Sequence, residues 1–317
     1  MRYSAPAVIL LVLLAAFLSL PAHAFDVHGH RGARGLLPEN TLPSFQKALD
    51  LGVDTLECDM AITKDGVVVL YHDLWLNPDI TRGPDGQWLD KRGPAISELT
   101  FAELQTYDVG RLKPGTDYAK QYPDQQPIDG ARIPKLADLF ELIRKSGNGK
   151  VNVNCETKLS PYERGATVAP ETFARMAIAE IRKAGMAERT MVHSFDWSTL
   201  QVIQKEAPEI RTNYVTGPHS LKRGSRGAYS PWLAGFAPEQ HGDSVPRAVH
   251  AAGGRIWAPN HASLTPAILA EAHALGIVVF PWTVNDAPTI AKLVDMGVDG
   301  IISDRPDLVL IELKRRR

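Results

Sequence analysis

Eight short runs of apolar and β-branched residues recur along the chain with helical stretches between them, and this alternation restricts the fold more than any other feature. The runs are Phe25–His30, Val53–Met60, Val151–Thr157, Thr190–Phe195, Ile210–Val215, Arg255–Pro259, Ile277–Trp282 and Gly300–Ser303. Strands that alternate with helices predict parallel pairing, because a parallel neighbour is reached only through a crossover long enough to hold a helix. Eight repeats over this length predict an α/β fold, a closed TIM-type (β/α)8 barrel, with an open doubly wound sheet as the alternative. One further run, Val67–Tyr71, breaks the alternation: only a few residues, Asp65-Gly66 among them, separate it from Met60. It must return antiparallel through a tight turn. His72, at its end, then sits in the loop after the second barrel strand, within reach of the barrel mouth.

The stretch from Asp73 to about Arg132 is rich in Gly, Pro, Asp and Gln. It predicts a large insertion after the second barrel strand, about 73–132, carrying one helix near Ser97–Tyr107 that starts at a Ser cap. A helix over Lys135–Lys145 then leads into the third strand. Gly217–His241 predicts a second long loop. Both belong on the face where barrel enzymes place substrate contacts.

At the N-terminus, Arg2 precedes an apolar run from Ala7 to Leu18 and then Ala22-His23-Ala24. A positive end, a short apolar core and a small-x-small site form the pattern of a secretory signal peptide, predicted over 1–24; about 18 apolar residues would be needed for a span. The expected mature chain, 25–317, is then an exported domain, periplasmic or secreted. Lys+Arg number 35 and Asp+Glu 36. Such a balance leaves no electrostatic footprint for nucleic acid, and no later segment is apolar enough to cross a membrane, so the expected partner is a small molecule. Lys314 to Arg317 read as a solvated basic end, and no feature specifies an oligomeric state.

The chemistry collects at strand ends. Gly29-His30-Arg31-Gly32 places an imidazole and a guanidinium at the C-terminal end of the first strand. On the second strand, Glu57-Cys58-Asp59 sends both carboxylates to one face and Cys58 to the other, because side chains alternate with period two. Two acids inside a barrel repel unless something positive sits between them, and a bound cation supplies it. Glu156-Thr157-Lys158 repeats the device on the third strand. Three carboxylates without a Cys–His cluster predict a hard, oxygen-ligated ion, Mg²⁺ or Ca²⁺, over zinc; rim-exposed salt bridges among Glu156, Lys158 and their neighbours are the less favoured alternative. A divalent ion beside Arg31 and Lys158, with His30 and His72 to move protons, suits an anionic phosphate ester.

Together, His30-Arg31-Gly32, Pro38-Glu39-Asn40-Thr41, Glu57-x-Asp59, Thr63-Lys64-Asp65-Gly66, His72-Asp73, Glu156-x-Lys158 and Ser303-Asp304-Arg305-Pro306-Asp307 resemble the glycerophosphodiester phosphodiesterase family. The resemblance runs from the first strand to the last. It implies a TIM-type barrel with a helical insertion after the second strand, and metal-dependent hydrolysis of glycerophosphodiesters to glycerol 3-phosphate and an alcohol. By resemblance, Glu57, Asp59 and Glu156 bind the ion, His30 and His72 form the acid–base pair, and Arg31 and Lys158 hold the phosphate. The rival readings are a phospholipase or lysophospholipase of related barrel type, and an exported binding protein that has lost catalysis.

Several residues stand outside that core set. His28 shares the inward parity of His30 and reads as a hydrogen-bonded core histidine. Asp304 either supports the site from behind or caps the final helix. Trp282 and Trp257, one or both, wall the pocket or pack the barrel, while Trp75, Trp88 and Trp232 could shape its alcohol side. Cys58 and Cys155 turn away from the interior on neighbouring strands, and they are expected to stay reduced and packed as small apolar groups.

Overall fold

The computed structural model describes residues 25–224 and 228–316. The signal-peptide reading of 1–24 falls outside them. Nine strands form one sheet: β1 Asp26–Gly29, β2 Thr55–Ile62, β3 Val68–Leu70, β4 Asn152–Thr157, β5 Thr190–Ser194, β6 Arg211–Thr216, β7 Ile256–Pro259, β8 Val278–Val279 and β9 Gly300–Ser303. Their order is β8-β7-β6-β5-β4-β2-β1-β9, every ladder on this path is parallel, and β3 pairs antiparallel to β2. The two ends meet through single hydrogen bonds, Asp299 N–H to Val279 O at 3.2 Å and Ile302 N–H to Pro281 O at 3.0 Å, so eight parallel strands make a nearly closed barrel. The seventh barrel strand is short because Pro281 has no N–H to donate to a ladder.

The barrel strands are buried on both faces along most of their length, which is why period-two polarity is muted in the sequence and appears only as the carboxylates. In β2, Leu56, Cys58 and Met60 pack under the helices, while Glu57 and Asp59 take the opposite parity and are fully buried. A smaller apolar cluster of Met191, Val215, Ile256, Ala258, Phe280 and Ile302 involves the other parity. Helix Leu42–Leu51 begins at Thr41, whose hydroxyl accepts from Ser44 N–H, and stops at Gly52 in the left-handed region (φ 84°).

The segment between β3 and helix Leu136–Ser146 differs in detail from expectation. The single helix near Ser97–Tyr107 is broken into a 3₁₀ turn, Ile96–Glu98, and one α-turn, Phe101–Leu104, because Leu99 is extended and Thr100 starts a new cap by accepting from Glu103 N–H. Thr100, not Ser97, is the helix cap. A further short helix, Asp117–Gln121, starts at Thr116. This segment has its own apolar cluster around Leu76, Ile96, Leu104, Val109 and Ile133, packed on Val69 and Tyr71. The Gly217–His241 stretch holds three short turns of helix, Pro218–Leu221, Pro231–Leu233 and Pro238–His241, among its described residues.

Candidate active site

The loop after β1 turns back sharply on itself. A Cβ at Gly29 would sit 2.3 Å from Gly32 O, and Gly32 itself has φ +87° with Ser44 pressed against it. Arg31, a non-glycine residue at φ 51°, is held left-handed in this turn, and its N–H is thereby aimed at Glu57 Oε2, 2.7 Å away. Its guanidinium donates to Glu39 Oε1 at 2.7 Å and lies 3.2 Å from Asp59 Oδ2. Asn40, also left-handed, clasps Asp59: its amide donates to Oδ2 at 2.8 Å and its oxygen accepts Asp59 N–H at 3.1 Å. The Pro38-Glu39-Asn40-Thr41 motif therefore holds Arg31 and Asp59 and caps the next helix.

The three carboxylates lie on adjacent strands, with Asp59 and Glu156 in register across β2 and β4. Lys158 Nζ donates to Glu156 Oε1 at 2.7 Å and lies 3.6 Å from Asp59 Oδ1. Burial alone would raise the Asp59 carboxyl, but Arg31, His72, Lys158 and His30 outweigh it and hold it well below the ordinary carboxylate range. Burial opposes the Glu57 charge as well; His30 and His193 lower it, Asp59 works against them, and the net shift is downward. Lys158 is pulled down by burial but up by Glu156 and Asp59, and ends raised.

Does this set fit a divalent cation? Asp59 Oδ1 is buried with no hydrogen-bond partner among the described residues. Donor atoms of Glu57, Glu156 and His193 lie within 4.8 Å of one another. Three converging donors, and beside them a buried Asp59 oxygen that has an ion pair to Lys158 at 3.6 Å but no hydrogen bond, are what a cation would satisfy, so the residues fit.

Both sequence-predicted histidines have a carboxylate at Nδ1. His30 Nδ1 is 2.6 Å from Asp304 Oδ1, and His72 Nδ1 is 2.7 Å from Asp73 Oδ1. Each contact fixes a ring and leaves Nε2 for other work. Asp304 is buried and accepts from Arg34 (2.8 and 3.0 Å) and Asn285 (2.7 Å). Burial would raise its carboxyl, yet Arg34 and His30 hold it far below the usual range. The final helix, Pro306–Arg315, has Arg305 at its cap with no side-chain capping bond, so Asp304 supports His30 and does not cap.

A cavity of about 330 Å³ opens at this end of the barrel. His30, Arg31, His72, Glu156 and Lys158 line its charged half; Leu159, Phe195, Val215, Trp232, Trp282 and Ile302 line its apolar half. Glu57 and Asp59 are fully buried and meet this lining through Arg31 and Lys158. Trp282 both lines the cavity and packs edge-on against Phe195, with ring centroids 5.4 Å apart. Trp257 does not wall the pocket: its side chain lies in the cluster under the helices, its indole N–H held by Thr216 Oγ1 at 2.9 Å. Trp88, under Arg82, is not part of this lining; Trp75, under Arg92, lines an adjoining cleft that shares His72 and Lys158 with the cavity, and Trp232 reaches the cavity itself. His28 is a buried core histidine, 3.5 Å from the Asn154 amide and 3.3 Å from Asp26.

Four residues beyond the sequence-predicted set complete the arrangement. Arg34 bonds Asp304 and Tyr118; Glu39 and Asn40 hold Arg31 and Asp59; His193, on β5, lies 3.2 Å from Glu57 Oε1. Asp304 and the Glu39-Asn40 pair carried a motif signal, whereas His193 is a lone histidine near a strand end and carries none.

Comparison with known proteins identifies the family and the fold. Residues 30–308 match the model of the glycerophosphoryl diester phosphodiesterase family. A glycerophosphodiester phosphodiesterase from Caldanaerobacter subterraneus subsp. tengcongensis is 28% identical over 290 residues, covering 92% of this chain and 98% of its own. The crystal structure of a Silicibacter pomeroyi protein classed with the glycerophosphoryl diester phosphodiesterases superposes with a TM-score of 0.83 at 35% identity, covering 94% of this chain and 95% of that one. An Oleispira antarctica phosphodiesterase, solved with the product sn-glycerol-3-phosphate, shares the fold at a TM-score of 0.66 and 22% identity, covering 91% and 96%. With its family match running from the residue after the first barrel strand into the last helix, the chain belongs to the glycerophosphoryl diester phosphodiesterase family.

Proposed function

We propose that this protein hydrolyses glycerophosphodiesters to glycerol 3-phosphate and an alcohol, with His30 and His72 as the acid–base pair and a divalent cation, Ca²⁺ or Mg²⁺, held by Glu57, Asp59 and Glu156. The observation that carries the reading is that two carboxylate-anchored histidines line the same 330 Å³ cavity as Arg31, Lys158 and Glu156. The family match and the Caldanaerobacter relative, a glycerophosphodiester phosphodiesterase, support the substrate class.

When bound, the cation would offset negative charge on the phosphoryl oxygens. Arg31 and Lys158 orient the phosphate by charge-assisted hydrogen bonds. One imidazole takes the proton from the attacking oxygen and the other returns a proton to the departing alkoxide, so the P–O bond breaks without releasing a strong base. The apolar half of the cavity, walled by Phe195, Trp232 and Trp282, excludes water from the alcohol side. Among the described residues, no helix is long and apolar enough to cross a membrane. The leader pattern at 1–24 supports an exported location.

The test is to incubate purified mature protein with a panel of glycerophosphodiesters and lysophospholipids, with and without Ca²⁺ or Mg²⁺, and to identify the products. Glycerol 3-phosphate from the diesters is expected. Turnover confined to lysophospholipids would favour the lipase reading, and binding of diesters without turnover the non-catalytic one.

A further inference from the structure

We propose that His193 is a further ligand of the cation site, oriented by Asn213, and that its nitrogen moves the site's preference away from Ca²⁺ toward borderline ions such as Co²⁺ and Zn²⁺. This rests on the reading that the carboxylate cluster holds a divalent ion.

His193 is buried on β5, directly in register with Glu156 on one side and Asn213 on the other. Its Nε2 faces Glu57 Oε1 at 3.2 Å, and its donor atom converges with those of Glu57 and Glu156. Its Nδ1 is buried and has no hydrogen-bond partner among the described residues. The same is true of both polar atoms of Asn213, which is fully buried.

Unpaired buried amides and ring nitrogens are costly and call for a specific account. One arrangement accounts for two of these three atoms, His193 Nδ1 and Asn213 Oδ1. His193 Nδ1–H donates to Asn213 Oδ1 through one bridging water, which leaves the Nε2 lone pair aimed at the two carboxylates. A lone pair so close to a carboxylate oxygen is repelled unless a cation lies between them. A ring nitrogen held by an outer hydrogen bond is the usual form of a histidine ligand. Calcium takes six to eight oxygens, whereas imidazole suits transition metals and zinc, so one nitrogen among carboxylates alters selectivity. The competing account is that Nε2–H merely donates to Glu57 and props it in place.

The two accounts separate in a binding experiment that uses no substrate. Exhaustively chelated wild-type protein, His193→Gln and Asn213→Leu are titrated in turn with Co²⁺, Zn²⁺ and Ca²⁺, by calorimetry and, for Co²⁺, by visible absorption. Glutamine keeps a donor for Glu57 but is a poor metal ligand. The expected result is a loss of about tenfold or more in Co²⁺ and Zn²⁺ affinity for His193→Gln, with a changed Co²⁺ spectrum and little change for Ca²⁺; Asn213→Leu should follow in the same direction. Retained Ca²⁺ binding also reports that each variant is folded. Equal losses for all three ions, or no loss with an unchanged Co²⁺ spectrum, overturn the proposal. Failure of the wild type to bind any divalent ion would instead sink the cation site itself.

Discussion

His30 Nδ1 lies 2.6 Å from Asp304 Oδ1, a contact that joins the end of the first barrel strand to the residue after the last, 274 positions away. The pair carries the parallel β1–β9 ladder one position beyond its last register partners, Gly29 and Ser303, and so ties the two strand ends together at the barrel mouth. Arg34 and Asn285 occupy the remaining acceptor sites of Asp304, so the carboxylate cannot swing away from the imidazole. Its counterpart, Asp73 on His72, is local and partly open to solvent.

Asp304→Asn should therefore lower kcat by roughly a hundredfold or more while changing KM little, because the imidazole loses both its fixed tautomer and its charge partner. A stability readout separates this from general damage. The folded-state carboxyl is depressed, so its pairing stabilises the protein above the ordinary Asp range of about 4, and that contribution is lost as pH falls. Denaturant unfolding should show the largest gap between wild type and variant near pH 7, shrinking at about pH 3. A gap that widens on acidification would contradict the assignment.

His30→Ala and His72→Ala should each remove nearly all turnover, and the double variant should be hardly worse than either, since two proton transfers serve one displacement. The pH profile of kcat/KM is expected to be bell-shaped. Losses that multiply in the double variant would point to independent roles.

Glu57→Gln, Asp59→Asn and Glu156→Gln should each abolish turnover, as each takes a charged ligand from a site with few to spare. Exhaustive chelation should do the same to the wild type, with activity restored by added ion. Full activity after chelation would overturn the cation reading.

Cys58 and Cys155 are register partners on β2 and β4, both buried and free of a disulfide, with their sulfurs 3.5 Å apart. Burial, then the neighbouring Cys155, pushes the Cys58 thiol well above its ordinary range, which suppresses the thiolate needed for oxidation. Thiol titration in denaturant without reductant should find two reactive groups; none would mean that the pair had been oxidised.

The sequence by itself determined the barrel, the antiparallel return of β3 and the inward parity of Glu57, Asp59 and Glu156, because these follow from local periodicity and from the length of chain between runs. Period two decides the face of a strand before any neighbour is present. The sequence could not decide which groups meet across the barrel. The Asp304 partner of His30, the clasp of Asn40 on Asp59, the place of His193 beside Glu57, and the retreat of Trp257 under the helices all depend on strand register and on turns such as the left-handed Arg31, which form only when the whole sheet closes. The helix expected near Ser97–Tyr107 shows the same limit from the other side. Propensity allowed one continuous helix, but the Thr100 cap, together with the packing of Ile96 and Leu104 on Val69 and Tyr71, divides it in two. Tertiary contact settled what local preference left open.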